Sequence, residues 1–341
     1  MTLQDCVSEW RSDAGVSGVS AAVRVNGRLH WTSEATRDGV LAADALCPIY
    51  SITKTLTAIC ALRLCERGAL RLGDPVTAWC SDVDVRDDIT IAHLVRHTSG
   101  LGDYGPLPEY HAAVRSHPSR PWTRHQFLDA VLPRGLWFEP GAGWAYSNIG
   151  YMLLREALQR ASGCTFAQTI HDLVAAPLGL QHTRVVDTID GWAACVPGYG
   201  PEVAADGQVV DVRRVYHPGW CAPGVAVSTA EEVTLVIDAL LAGHILEPRS
   251  LAEMLTLVPV SADAQEPHAY GMGIASDIAS ARGANYGHGG GGPGYDLDVT
   301  IFPDTARGRL AIAVFVCASG GPRWSQQCEE RLLSCGFAEH A

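Results

Sequence analysis

The sequence predicts an α+β fold in which one antiparallel sheet is assembled from both ends of the chain and a helical lobe is inserted between them. Three observations predict it. Short alternating segments occur near the N-terminus and again in the last third, and helical spacing begins at Ser51. The stretch from about residue 70 to 222 is rich in Pro, Gly and Trp and carries only short helical patterns. The expected division is residues 1–50 plus 223–341 for the sheet domain and 51–222 for the lobe, with the active site at their junction.

Residues 16–31 alternate around Asn26-Gly27, the dipeptide that supplies the positive φ angles of a two-residue hairpin. From Ser51, the residues Ile52, Leu56, Ile59, Leu62 and Leu64 recur at helical spacing until Gly68 stops them. Residues 149–161 and 166–173 are short helical patterns inside the lobe. Residues 229–242 read as a helix introduced by a Ser228-Thr229 cap, with Glu231 and Glu232 favourably placed in its first turn. Strands are expected at 270–275, 295–302 and 310–316, and a closing helix at 326–333.

Acidic residues outnumber basic ones 37 to 25, and the net charge of -12 argues against nucleic acid or an anionic membrane as partner. The first ten residues lack the basic and apolar runs of a secretory signal, and no window of about 18 apolar residues is long enough to span a bilayer. Eleven cysteines without a C-x-x-C pair read as reduced, buried thiols rather than a disulfide framework. A cytoplasmic enzyme with a small substrate is expected; the oligomeric state is not readable.

Of the 25 basic residues one alone is lysine, Lys54. Arginine stays protonated, whereas a lysine amine can lose its proton, so the exception points to chemistry. Ser51 stands three residues before it, on the same helix face, where a hydroxyl and an amine can meet. With twenty serines in 341 residues, that placement arises by chance about 6% of the time.

Two further segments fit. Tyr146-Ser147-Asn148 is the sole Y-x-N, offering a phenol that can shuttle a proton and an amide that can orient both substrate and lysine. Gly287-His288-Gly289-Gly290-Gly291-Gly292 satisfies G-x-G-x-x-G, but the strand pattern after Pro293 contradicts a dinucleotide site. It reads instead as a strand edge along which a substrate backbone can lie close.

In this order and spacing the motifs resemble the penicillin-recognising serine hydrolases, which include class C β-lactamases, DD-peptidases, D-aminopeptidases and β-lactamase-like esterases. Residues 94–101 (LVRHTSGL), 73–76 (GDPV), 138–141 (FEPG), 146–151 (YSNIGY) and 177–180 (PLGL) extend the resemblance over nearly the whole chain. It implies a β-lactamase/DD-peptidase-like fold with helices of both termini flanking the sheet. It also implies Ser51, Lys54 and Tyr146 as catalytic residues, with Asn148, His288, Gly289, Gly290 and Gly291 as substrate-binding ones. An oxyanion hole would form from the N–H groups of Ser51 and Gly291, with no cofactor or metal. Many members carry lysine where His288 stands. An ordinary histidine is mostly neutral at pH 7 and holds a substrate carboxylate less well, which favours esters, amides or D-amino-acid peptides over β-lactams.

His93 and His97 lie four apart but lack the glutamate of H-E-x-x-H, so a metal site is not expected. His97 is expected to bond the loop at residues 98–100. Five tryptophans, 122, 137, 144, 192 and 220, crowd the lobe as core or as pocket wall, and Asp103 or Glu109 could meet a substrate ammonium. Hydrolase, acyltransferase and acylated sensor are the three classes compatible with these residues.

Overall fold

A computed structural model describes residues 1–36, 39–260 and 268–336. Chain order begins with α1 (Leu3–Ala14), β1 (Val19–Val25), β2 (Arg28–Thr32), β3 (Val40–Leu41) and β4 (Cys47–Pro48). A 3-10 turn (Tyr50–Ile52) leads into α2 (Thr53–Glu66). The lobe holds α3 (Val76–Trp79), α4 (Ile91–Arg96), α5 (Pro108–Ser116), α6 (Arg124–Val131), α7 (Asn148–Ser162), α8 (Phe166–Ile170), α9 (Ala176–Leu178) and α10 (Ile189–Ala193). The short strands β5 (Arg184–Val186), β6 (Tyr199–Gly200) and β7 (Val210–Asp211) lie among them. After β8 (Val225–Ser228) come α11 (Ala230–Leu241), α12 (Pro248–Met254), β9 (Val258–Pro259), β10 (His268–Tyr270), β11 (Ala275–Asp277), β12 (Tyr286–Gly292), β13 (Tyr295–Thr305), β14 (Gly308–Val316) and α13 (Trp324–Gly336).

The main sheet runs β2-β1-β14-β13-β12-β11-β10-β9 with antiparallel neighbours, and β3 joins β1 in parallel. It is built from both ends of the chain. Side chains alternate across it. Ile312, Val314 and Val316 of β14 pack with Val7 and Trp10 of α1 and Leu332 and Leu333 of α13, while Ala311, Ala313 and Phe315 belong to the larger core on the other face, where α11 lies on the sheet. The terminal helices therefore cover one face and α11 lies on the other. Asn26 and Gly27 turn the first hairpin with φ of 49° and 82°, the two positive values such a turn requires. A separate sheet, β4-β8-β5, joins the segment just before Ser51 to strands on either side of residue 222.

Two expectations are corrected. Residues 270–275 are not one strand: Gly271 donates its N–H to the Ile274 carbonyl and Gly273 has a φ of 64°, which makes a turn between β10 and β11. That turn packs tightly on α2, since a Cβ at Gly273 would lie 2.6 Å from the Lys54 carbonyl oxygen. The cysteines are not all reduced thiols: Cys6 of α1 is disulfide-bonded to Cys335 of α13, and nine others are free. Spacing concealed the pair because the two helices meet only after the sheet has brought both termini to one face.

Candidate active site

Eleven of the fourteen residues of α2 are buried, so this helix is enclosed on nearly every side and runs through the middle of the molecule. Lys54 in its first turn is consequently only 3% exposed. Ser51 lies one turn earlier, in the 3-10 segment rather than in α2 proper. Tyr50 just before it has a φ of 40°, a left-handed conformation that costs an aromatic residue about 1–3 kcal/mol. Burial against Trp192 and a hydrogen bond from the Tyr50 hydroxyl to the Pro293 carbonyl at 2.6 Å hold it there.

The phenol and the amide arrive from the start of α7. Ser147 caps that helix by accepting from the Gly150 N–H and donates its own hydroxyl to the Gly102 carbonyl. Tyr146 and Asn148 flank this anchored residue. The Tyr146 hydroxyl donates to Ser51 Oγ at 2.7 Å, and Lys54 Nζ lies 3.3 Å from Ser51 Oγ and 2.8 Å from Asn148 Oδ1. Lys54 Nζ also stands over the Tyr146 and Tyr151 rings at 4.7 and 5.4 Å. Asp103 fixes the amide: it accepts from the Asn148 backbone N–H at 2.9 Å and from Nδ2 at 3.1 Å, which turns Oδ1 toward the lysine. Burial raises the Asp103 carboxyl above the usual range, opposed by the Asn148 N–H groups and the Lys54 charge.

His97 ends α4 in a left-handed conformation and accepts the Ser147 N–H on Nδ1 at 3.1 Å. It thus bonds the Tyr146 segment rather than the loop at 98–100. Its ring stacks on Tyr146 with centroids 4.4 Å apart, and burial holds it neutral, well below the ordinary histidine range. Asp103 is likewise committed to Asn148, and Glu109 pairs with Arg134 on the surface, so neither is placed to meet a substrate ammonium.

The third motif forms β12. β12 pairs with β13 along its length, but with β11 only at Gly287, so among the described residues 288–292 leave one edge unpaired beside the Ser51 turn. His288 does not face the substrate as expected. Its Nδ1–H donates to the Gly289 carbonyl at 2.6 Å and its Nε2 accepts from the Tyr270 hydroxyl at 2.9 Å, which engages both nitrogens of a neutral ring. Gly289 is exposed beside Asp298, and Gly290 packs on the Ile49 carbonyl, so of the four predicted residues only Gly291 reaches the cleft.

Burial pushes His288 down to about 4, a neighbouring carbonyl opposing it. As pH falls from 6.5 toward 4, the unfolded chain binds a proton that the folded chain refuses, so stability should fall, by up to about 3 kcal/mol from this group. Urea unfolding between pH 7 and 4.5 should show the loss, and His288→Gln should make the slope shallower. An unchanged slope in the variant would assign the loss to other groups.

The cleft holds about 510 Å³. Tyr50, Ser51, Lys54, Asn148, Gly291 and Gly292 line one part, Tyr104, Tyr110, Tyr216 and Trp220 an aromatic part, and Glu202, Ser319 and Arg323 another. Tyr146 reaches Ser51 without being among the lining residues. Trp220 and Trp192 are both buried, Trp220 against the cleft, whereas Trp137 is exposed. Among the described residues no three His, Cys, Asp or Glu side chains are grouped to hold a metal, and no helix is long and apolar enough to cross a membrane. Sequence reasoning missed Asp103 as the anchor of Asn148 and Tyr270 as the partner of His288, since nothing in the spacing signals either contact.

The family model described as Beta-lactamase matches residues 3–331. The chain belongs to the β-lactamase family. Among curated relatives of this family member, Penicillin-binding protein 4* of Bacillus subtilis is 30% identical over 286 residues, 80% of this chain and 61% of its own length. Esterase EstB of Burkholderia gladioli is 30% identical over 239 residues, 62% of this chain and 60% of its own. The β-lactamase-family chain thus spans about three fifths of the length of these relatives. A crystal structure of a D-stereospecific amidohydrolase from Streptomyces sp. superposes with a TM-score of 0.83 at 28% identity, covering 99% of both chains. The α+β, β-lactamase-like fold expected from the sequence is therefore shown, with helices of both termini on the sheet.

Proposed function

We propose that the chain is a serine hydrolase that forms an acyl-enzyme on Ser51 and cleaves small esters, amides or D-amino-acid peptides. One observation carries this reading: Ser51 Oγ, at the edge of a cleft, is within hydrogen-bonding reach of both the Tyr146 hydroxyl and the Lys54 amine. Ser51 Oγ attacks the acyl carbonyl as its proton passes into the Lys54–Tyr146 pair, which returns it to the leaving group. The N–H groups of Ser51 and Gly291 receive the developing oxyanion. Asn148 holds the lysine. Water then enters by the same proton route and releases the acid. In this proposal residues 1–50 with 223–341 and residues 51–222 are the two domains that meet at the site, and the partner is a small acyl substrate.

The relatives' names include an esterase and an amidohydrolase, and the neutral, internally bonded His288 removes the cation that would favour a β-lactam carboxylate. The same proposal sets the chain in the cytoplasm on its nine unpaired cysteines. The Cys6–Cys335 bond stands against that location: eleven titratable thiols in the chain isolated from its own cells would keep it in the cytoplasm, and nine would move it to an oxidising compartment.

Wild type and Ser51→Ala should be screened on p-nitrophenyl esters, D- and L-aminoacyl amides and a chromogenic cephalosporin. Turnover should fall by about 10³-fold or more in the variant. Full turnover in Ser51→Ala on every active substrate would overturn the proposal. Transfer to an added alcohol or amine in place of water would make the chain an acyltransferase, and stoichiometric labelling without product would make it a sensor.

A further inference from the structure

The cleft contains a carboxylate that the chemistry at Ser51 does not use. Glu202 follows β6 and lines the cleft with Ser319. Ser319 donates its hydroxyl to Glu202 Oε2 at 2.8 Å while accepting the Gly294 N–H at 2.8 Å, so the carboxylate is aimed by the turn that ends the glycine strand. It is also folded back over Gly200, where an added Cβ would lie 2.3 Å from Oε2 and 2.1 Å from Ser319 Oγ. The second oxygen, Oε1, has no hydrogen-bond partner among the described residues. Other acids nearby are committed. Asp103 takes both N–H groups of Asn148, and Asp296 accepts from the Ser325 N–H at 3.3 Å and its hydroxyl at 2.9 Å.

A half-satisfied carboxylate held in a fixed direction inside a cleft is a receptor for a cationic donor. The same cleft is walled by Tyr104, Tyr110, Tyr216 and Trp220, of which the half-buried Tyr110 leaves the most surface for an apolar group. We infer that Glu202 selects acyl donors carrying a free ammonium, so that the substrate class is an aminoacyl amide or ester with an apolar side chain. This inference rests on the hydrolase reading above and names which acyl groups that site accepts. Arg323 lines the same cleft and has interactions of its own. An acyl group bearing a carboxylate would choose it instead, and that is the opposing outcome.

The test compares five p-nitrophenyl esters: D-phenylalanyl, L-phenylalanyl, N-acetyl-phenylalanyl, 3-phenylpropionyl and a benzylsuccinyl half-ester. Wild type should prefer the better free-amine ester over the N-acetyl and 3-phenylpropionyl esters by at least about tenfold in kcat/KM, the effect of one charge-assisted hydrogen bond. In Glu202→Gln that ratio should fall about tenfold, Glu202→Asp should restore part of it, and Gly200→Ala, which displaces the carboxylate, should lower it too. Equal rates in wild type, a preference for the half-ester, or an unchanged ratio in Glu202→Gln would each overturn the inference. Hydrolysis of the 3-phenylpropionyl ester by wild type and not by Ser51→Ala would leave the hydrolase reading standing in those cases. No acylation by any ester would instead bring down that reading.

Discussion

Lys54→Arg should lower kcat/KM by about 10³-fold or more while keeping a positive charge at the site. The amine nitrogen sits among Ser51 Oγ, Asn148 Oδ1 and two aromatic rings, and the residue is 3% exposed. If the role of Lys54 were charge alone, arginine would preserve much of it. Guanidinium cannot release a proton in a protein, so a route that passes the Ser51 proton through this residue is closed. Arginine is also bulkier, and forcing it into a packed core costs about 1–3 kcal/mol, which a thermal melt would report. Lys54→Ala separates the two effects because it removes bulk rather than adding it. Pre-steady-state acylation followed by intact mass should be lost in both variants, and partial recovery of Lys54→Ala by added methylamine would tie the loss to the proton. Normal acylation in Lys54→Arg would take Lys54 out of the proton route.

What could be read from the sequence and what could not divide along contact range. The hairpin at Asn26-Gly27, the helix capped by Thr229 and the helix that follows Ser51 were legible because a cap, a turn dipeptide or an apolar period is local. The spacing S-x-x-K also fixed the relation of Ser51 to Lys54, since three residues on a helical path leave little choice of geometry. His288 was not legible in the same way. Its position in the motif said nothing of Tyr270, eighteen residues away across β11, and that hydroxyl decides where the ring points. Asp103 reads as a spare carboxylate until α7 brings Asn148 onto it. The turn at Gly271–Gly273 was hidden for the reverse reason: apolar residues around it gave a strand pattern, while close packing of Gly273 on α2 and of Gly271 on the Met254 carbonyl of α12 required the two glycines. Proline- and glycine-rich connections in the lobe place Glu202 and the aromatic wall, and no period encodes their course.

Two neighbouring glycines of β12 should respond to the same substitution in opposite ways. At Gly290 an added Cβ would stand 2.6 Å from the Ile49 carbonyl oxygen and 3.3 Å from Ile52 Cγ1, and the first of these is backbone of the segment that carries Ser51. Neither side can yield cheaply: β12 is tied to β13 along its whole length, and the Ile49 N–H is bonded to the Ala226 carbonyl of β8. Gly290→Ala should therefore cost about 1–3 kcal/mol of stability and separate β12 from the nucleophile. At Gly289 the nearest atom is Asp298 Oδ1 at 3.4 Å, an ordinary contact on an exposed position, so Gly289→Ala should unfold within about 0.5 kcal/mol of wild type. The activity contrast should be larger than the stability contrast. A displacement of about 1 Å between the proposed oxyanion donor Gly291 on β12 and Ser51 on its turn would cost on the order of 10²-fold in rate. Gly290→Ala should thus lose about two orders of magnitude in kcat/KM on a small ester, and Gly289→Ala less than about threefold. Similar activities for the two variants would mean that the close seating of β12 against residues 49–52 has no part in aligning the reaction.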